Sequence, residues 1–179
     1  SILMGLPETA QDRAHSVRFG FGAGIDPKLH APFEARFGIP LCEGWAMTET
    51  GAGATISNQA HDRLIGQSSL GPVPDWLAVK LVDEAGVEVP TGDPGELLVR
   101  RKHGDPRKGF FTEYFKNPTA TAEAWADGWF HTGDVVREGE GGNQQLVPKI
   151  FKKKTFFNFI PKNIFILSVF YNIIIMAVC

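Results

Sequence analysis

Acidic residues and glycines stop at the same place in this chain. Residues 1–142 hold all 20 acids, all 20 glycines and 13 of the 18 basic residues, for a net charge of −7. Residues 143–179 hold neither acids nor glycines, and carry five lysines, seven Ile and seven Phe or Tyr. A single fold rarely changes composition this sharply, so the break at Gly141-Gly142-Asn143 reads as the end of a domain and the start of an unrelated, divergent basic and apolar tail. A second change falls near residue 63, where a helix-bearing pattern gives way to short strands and turns. The expected organisation is therefore 1–62, the end of an α/β subdomain; 63–142, a small β-barrel subdomain; and 143–179, the tail.

The first part reads as a strand–helix–strand unit. Val17–Phe21 alternates as a short strand, and Gly22-Ala23-Gly24 follows as a loop with minimal side chains, where backbone can approach a ligand closely. Asp26 caps a helix that opens on Pro27. Leu29, Phe33 and Phe37 share one face, and Gly38 ends the helix. Pro40–Glu43 is the second strand. Strand, helix and strand so close together mark a parallel α/β unit. Its two carboxyl-end loops, Gly22–Gly24 and Gly44–Gly51, are expected side by side. Ligands of open α/β sheets bind at that edge. The second loop brings a ring, a hydroxyl and a carboxylate together in Trp45, Thr48 and Glu49.

Beyond residue 63 the elements shorten. Gly71-Pro72-Val73-Pro74 reads as a rigid turn, and Leu77–Val82 as a strand. Asp83–Gly86 turns, Val87–Val89 returns, and Gly95–Arg100 is the next strand, a pattern of small barrels or sandwiches. Pro118–Trp125 is a short helix capped by Asn117. Trp129–Asp134 is a loop leading into the strand Val135–Arg137.

Charge and cysteines narrow the function classes. The net charge of −2 supplies no basic face for nucleic acid. Cys42 and Cys179 form neither a disulfide framework nor a metal-ligand cluster, and Cys42 reads as a buried strand residue. Ser1-Ile2-Leu3-Met4 lacks the basic flank and apolar core of a secretory leader, so a cytoplasmic protein is expected.

Three stretches together resemble the adenylate-forming superfamily of acyl-CoA synthetases, luciferases and peptide-synthetase adenylation domains. Gly44–Glu49 is similar to its Y-G-x-T-E motif. Gly95–Arg100 followed by Tyr114–Ala122 is similar to a second motif, and Trp129–Asp134 to a third. Glu113–Ala122 and Asp127-Gly128-Trp129 look most like the acyl-CoA ligase branch, with crotonobetaine/carnitine-CoA ligases as the nearest type. The resemblance implies ATP, Mg²⁺ and coenzyme A, with a small carboxylic acid as substrate. It also implies the site: Glu49 on Mg²⁺, Thr48 on the α-phosphate, Trp45 stacked on adenine in place of the usual Tyr, and Asp134 accepting both ribose hydroxyls. Gly22, Ala23 and Gly24 would lie along adenine, with Gly24 where Pro is common. Gly44, Ala46 and Met47 complete the nucleotide loop, and Ala46 replaces a Gly. His131 reads as structural, since a carboxylate nucleophile needs no general base.

Two parts of the resemblance have no counterpart here. Nothing matches the Ser/Thr/Gly-Lys phosphate loop or the C-terminal catalytic lysine, and Leu146–Lys149 echoes the hinge only faintly. The expectation is a fragment inactive by itself. The rival reading is a non-catalytic, tail-anchored nucleotide-binding remnant, and a peptide-synthetase domain is a third. Lys152-Lys153-Lys154 followed by Phe156–Cys179 is consistent with a translated non-coding stretch, a membrane tail anchor or a buried strand pair.

Overall fold

The computed structural model describes residues 2–59 and 62–146. Readings that fall on 147–179, including the tail anchor, lie outside the described residues. Two short 3₁₀ turns, Leu3–Gly5 and Ala10–Arg13, open the chain. Strand β1, Gly20–Gly22, leads to helix α1, Pro27–Phe37, and then to β2, Leu41–Trp45. β1 and β2 pair in parallel, and β3, Ile56–Ser57, runs antiparallel beside β2. The remaining strands are β4 (Ser69–Pro72), β5 (Leu77–Val82), β6 (Gly95–Arg101), β7 (Phe130–Glu138) and β8 (Asn143–Leu146). They form one antiparallel sheet in the order β4-β8-β7-β6-β5. Helix α2, Pro118–Ala124, lies between β6 and β7. The architecture is mixed α/β.

Local chemistry accounts for α1. The Asp26 carboxylate accepts from the Lys28 N–H at 2.9 Å, Pro27 occupies the first turn, and Gly38 closes the helix at a φ of 69°. The buried face is His30, Phe33 and Phe37, while Leu29 is only half-buried. His30 was not visible as a core residue because a polar side chain breaks the apolar periodicity. Here its Nε2 lies 3.2 Å from the Leu41 carbonyl and its Nδ1 accepts from the Gly66 N–H at 3.3 Å. Phe33, Phe37, Ile25, Ile39 and Leu41 pack as one core cluster.

Four expectations shift. β1 starts at Gly20, not Val17. β2 runs on through Gly44 and Trp45, so the polar loop starts at Ala46. Gly71-Pro72 is the end of strand β4 and not part of a turn: Pro72 closes the strand, where its missing N–H does little harm. The composition break does not end the sheet. Asn143–Leu146 is strand β8, held between β4 and β7, so ordered pairing continues four residues past the expected boundary.

A second core cluster joins the two sheets. Trp45, Ala54 and Ile56 from the first pack with Leu70, Leu97, Val99, Phe130 and their neighbours from the second.

Candidate functional site

The two glycine-bearing loops leave the parallel pair together. Gly22 at the end of β1 is in register with Glu43 on β2, so the first loop leaves at Ala23 while β2 continues two residues further to Trp45. Ala23 and Gly24 are exposed. Gly24 has a φ of 67°, which the proline common at this position in the resembling family cannot adopt. The ring locks φ near −65°, so this loop follows its own path. Ala46 keeps a negative φ, and its added methyl brings no backbone strain.

Beneath these loops lies Glu43, fully buried. Its Oε1 accepts from the Ile25 N–H at 3.1 Å, and its Oε2 has no hydrogen-bond partner. Burial pushes its carboxyl up to about 7. One buried carboxyl thus ties β2 to the segment that follows the Gly22–Gly24 loop.

The loop after Trp45 is held by a residue the sequence reading passed over. Thr50 is fully buried, and its Oγ1 both accepts from the Met47 N–H at 3.0 Å and donates to the Met47 carbonyl at 3.0 Å. With Thr50 doing the local bonding, Thr48 is left exposed and Glu49 half-exposed. The signal was there: a second threonine three residues from Met47 suits a tight turn. Gly51 and Gly53 press against Gly109–Phe110, and a Cβ at Gly53 would lie 2.2 Å from the Phe110 ring and 2.8 Å from its backbone nitrogen. The Phe111 N–H donates to the Glu49 carbonyl at 2.8 Å.

Both carboxylates expected at the site are gripped across the junction between the sheets. The Trp45 Nε1–H donates to Asp134 Oδ2 at 2.8 Å. The Tyr114 hydroxyl donates to Glu49 Oε1 at 3.1 Å. Burial, reinforced by the neighbouring Glu49 charge, pushes the Tyr114 phenol up to about 12, so it keeps its proton. Trp45 itself is only 5% exposed and belongs to the second core cluster. Its ring offers little face to a ligand, and its N–H is committed to Asp134.

Asp134 is not in a loop, as expected, but inside β7. Leu98 is in register with His131 while Glu96 is in register with Val135, so β7 carries two extra residues in this interval. The bulge holds Thr132–Asp134, with Gly133 at a φ of 68°. Glu96 fastens it, accepting from the Gly133 N–H at 3.0 Å and lying 3.3 Å from His131 Nδ1. The Thr132 hydroxyl accepts from the Asp134 N–H at 3.0 Å and donates to the Leu97 carbonyl at 2.7 Å. His131 therefore faces Glu96 across the strand pair.

Magnesium takes oxygen ligands, and commonly has one or two carboxylates completed by phosphate and water. Glu49 suits that arrangement: Tyr114 engages one oxygen, and Oε2 carries no hydrogen bond among the described residues. Among those residues no cluster of three His, Cys, Asp or Glu could hold a cation alone. The donor set fits a single-carboxylate magnesium site that needs a nucleotide's phosphates. Asp134 Oδ1 carries no hydrogen bond among the described residues.

Comparisons with known proteins bear on the family of this chain. The family model for AMP-binding enzymes matches residues 2–105. A crotonobetaine/carnitine–CoA ligase of Shigella flexneri serotype 5b is 35% identical over 142 residues, covering 78% of this chain and 27% of the relative. ATP-bound MatB from Rhodopseudomonas palustris superimposes with a TM-score of 0.59 at 27% identity, over 72% of this chain and 24% of that one. The anthranilate CoA ligase AuaEII, in complex with anthranoyl-AMP, shares the fold at a TM-score of 0.64 and 22% identity, over 78% of this chain and 26% of that one. The chain spans about a quarter of the length of the curated relatives it matches. By the extent of the family match and the motifs assembled at the sheet edge, the chain belongs to the AMP-binding enzyme family.

Proposed function

We propose that the chain is the nucleotide-gripping segment of an ATP-dependent acyl-CoA ligase. In that reaction a carboxylate oxygen attacks the α-phosphate of ATP, pyrophosphate leaves, and an acyl-adenylate forms. The thiol of coenzyme A then attacks the acyl carbon and AMP leaves. The observation that carries the reading is the meeting of three distant motifs: Trp45 with Asp134 at 2.8 Å, and Glu49 with Tyr114 at 3.1 Å.

Each residue then has a task. Asp134, fixed by the Trp45 indole and the Thr132 hydroxyl, accepts the ribose hydroxyls. Gly22, Ala23 and Gly24, with the end of β2 and the start of its loop over Gly44–Met47, border adenine. Trp45 orients Asp134 through its indole N–H. Thr48, exposed on a loop that Thr50 holds rigid, donates to the α-phosphate. Glu49 holds magnesium, which when bound neutralises charge on the phosphate oxygens. These groups position the reactants and stabilise charge, which is the protein's main contribution to such displacements. The crotonobetaine/carnitine ligase relatives support a small carboxylic acid as acyl substrate.

Calorimetric titration tests the reading. Binding of ATP with Mg²⁺ is compared with its two monodeoxyribose analogues, for the wild-type chain and Asp134→Ala. Loss of either hydroxyl weakens wild-type binding about tenfold, the scale of one charge-assisted hydrogen bond. Asp134→Ala binds all three nucleotides alike. A wild-type chain that does not distinguish them refutes the assignment of Asp134.

A further inference from the structure

We propose that Tyr114 is a positioning residue for the metal-binding carboxylate: its hydroxyl holds Glu49 so that Oε2 faces the magnesium of bound ATP. The proposal rests on the reading of Glu49 as the magnesium ligand and assigns a role to a residue that reading leaves idle.

A glutamate has three side-chain torsions, and Glu49 sits half-exposed on a loop at the end of β2. Left alone, its carboxylate would sample many orientations, and a cation would bear the cost of fixing one. Tyr114 removes that freedom from the other side of the junction. Its hydroxyl reaches Oε1 at 3.1 Å, and its own placement is fixed two ways. The Tyr114 N–H donates to Thr121 Oγ1 at 2.9 Å, anchoring it to the first turn of α2. Its ring packs on Phe111 at 4.7 Å between centroids. Phe111 in turn donates its N–H to the Glu49 carbonyl at 2.8 Å, so the backbone and the carboxylate of Glu49 are gripped by one short segment. The phenol stays protonated, so it acts only as a donor and adds no charge to the site. A bond to Oε1 leaves Oε2 for the cation.

The test is a double-mutant cycle on the full 179-residue chain with Tyr114→Phe, Glu49→Gln and both together. The quantity read is magnesium linkage: the ratio of ATP dissociation constants without and with Mg²⁺. That ratio does not respond to a general loosening of the fold. Wild type shows a large linkage and Glu49→Gln abolishes it. Tyr114→Phe, which loses only a hydroxyl, lowers the linkage about fivefold to tenfold, the scale of one hydrogen bond to a charged group. The double variant matches Glu49→Gln. Unchanged linkage in Tyr114→Phe, with Glu49→Gln still abolishing it, overturns the role of Tyr114 and leaves the magnesium assignment standing. Linkage that is absent in wild type, or survives Glu49→Gln, overturns both.

Discussion

At the scale of single residues, two buried partners decide how the site behaves. Glu43 is fully buried with one oxygen unpartnered, and burial raises its carboxyl from the ordinary 4.5 to about 7. A carboxyl raised in the folded state binds its proton more tightly there than in the unfolded chain. Stability is therefore full below pH 4.5 and declines as pH rises to about 7. The loss is about 3 kcal/mol in all. Glu43→Gln keeps an acceptor for the Ile25 N–H and removes the titration. Urea denaturation from pH 5 to pH 8 should show a flat profile for the variant and a falling one for wild type, with the variant more stable at the upper end. Trp45→Phe keeps the core ring and removes the N–H that holds Asp134. Its expected cost is about 1–2 kcal/mol in ATP affinity with little change in fold, read by calorimetry beside thermal unfolding. Of these residues, Glu49, Thr48 and Asp134 could be named from motif resemblance. Thr50 carried a local signal, its turn bonds to Met47 three residues back, but Glu43 and Tyr114 could not be named, because their roles come from partners 18 and 65 positions away and from burial that no short pattern encodes.

At the scale of elements, local signals were legible wherever the chemistry was local. The Asp26–Pro27 start and Gly38 stop delimit α1, and the Asn117 cap delimits the start of α2. The failures are nonlocal. The bulge that sets Asp134 inside β7 exists only in the pairing with β6, where Glu96 and Leu97 bond to Gly133 and Thr132. β8 was hidden by composition, because its place is fixed by backbone bonds to β4 and β7, which are indifferent to side-chain bias. β4 was hidden by turn-forming residues that here end a strand. The loop after β2 is shaped by close approach as much as by bonds. Gly53→Ala would drive a methyl into the Phe110 backbone nitrogen, at 2.8 Å. The expected cost is about 1–3 kcal/mol, visible as a lower urea midpoint. Because Phe110 is continuous with Phe111 and Glu49, magnesium-linked ATP binding should weaken with it. The segment after β3 also reports on α1. Burial pushes Glu34 up, but the Arg63 guanidinium and the Leu41 N–H outweigh it and hold the carboxyl below its usual range. Arg63→Met should cost about 1–3 kcal/mol by leaving that half-buried carboxylate without its cation.

At the scale of the whole molecule, the site belongs to neither sheet alone. The parallel pair contributes Trp45 and Glu49; the antiparallel sheet and its connections contribute Asp134 and Tyr114. Each part donates to the other's carboxylate, so the placement of Asp134 and Glu49 and the packing of the second core cluster form together. Among the described residues no helix is long and apolar enough to cross a membrane. If the loops at the carboxyl edge of β1 and β2 border adenine, photolabelling with an ATP analogue carrying an azide on the adenine ring, followed by peptide mapping, places label within Gly22–Gly24 and Gly44–Glu49, competed away by unmodified ATP. Competable label confined to other segments rules that placement out.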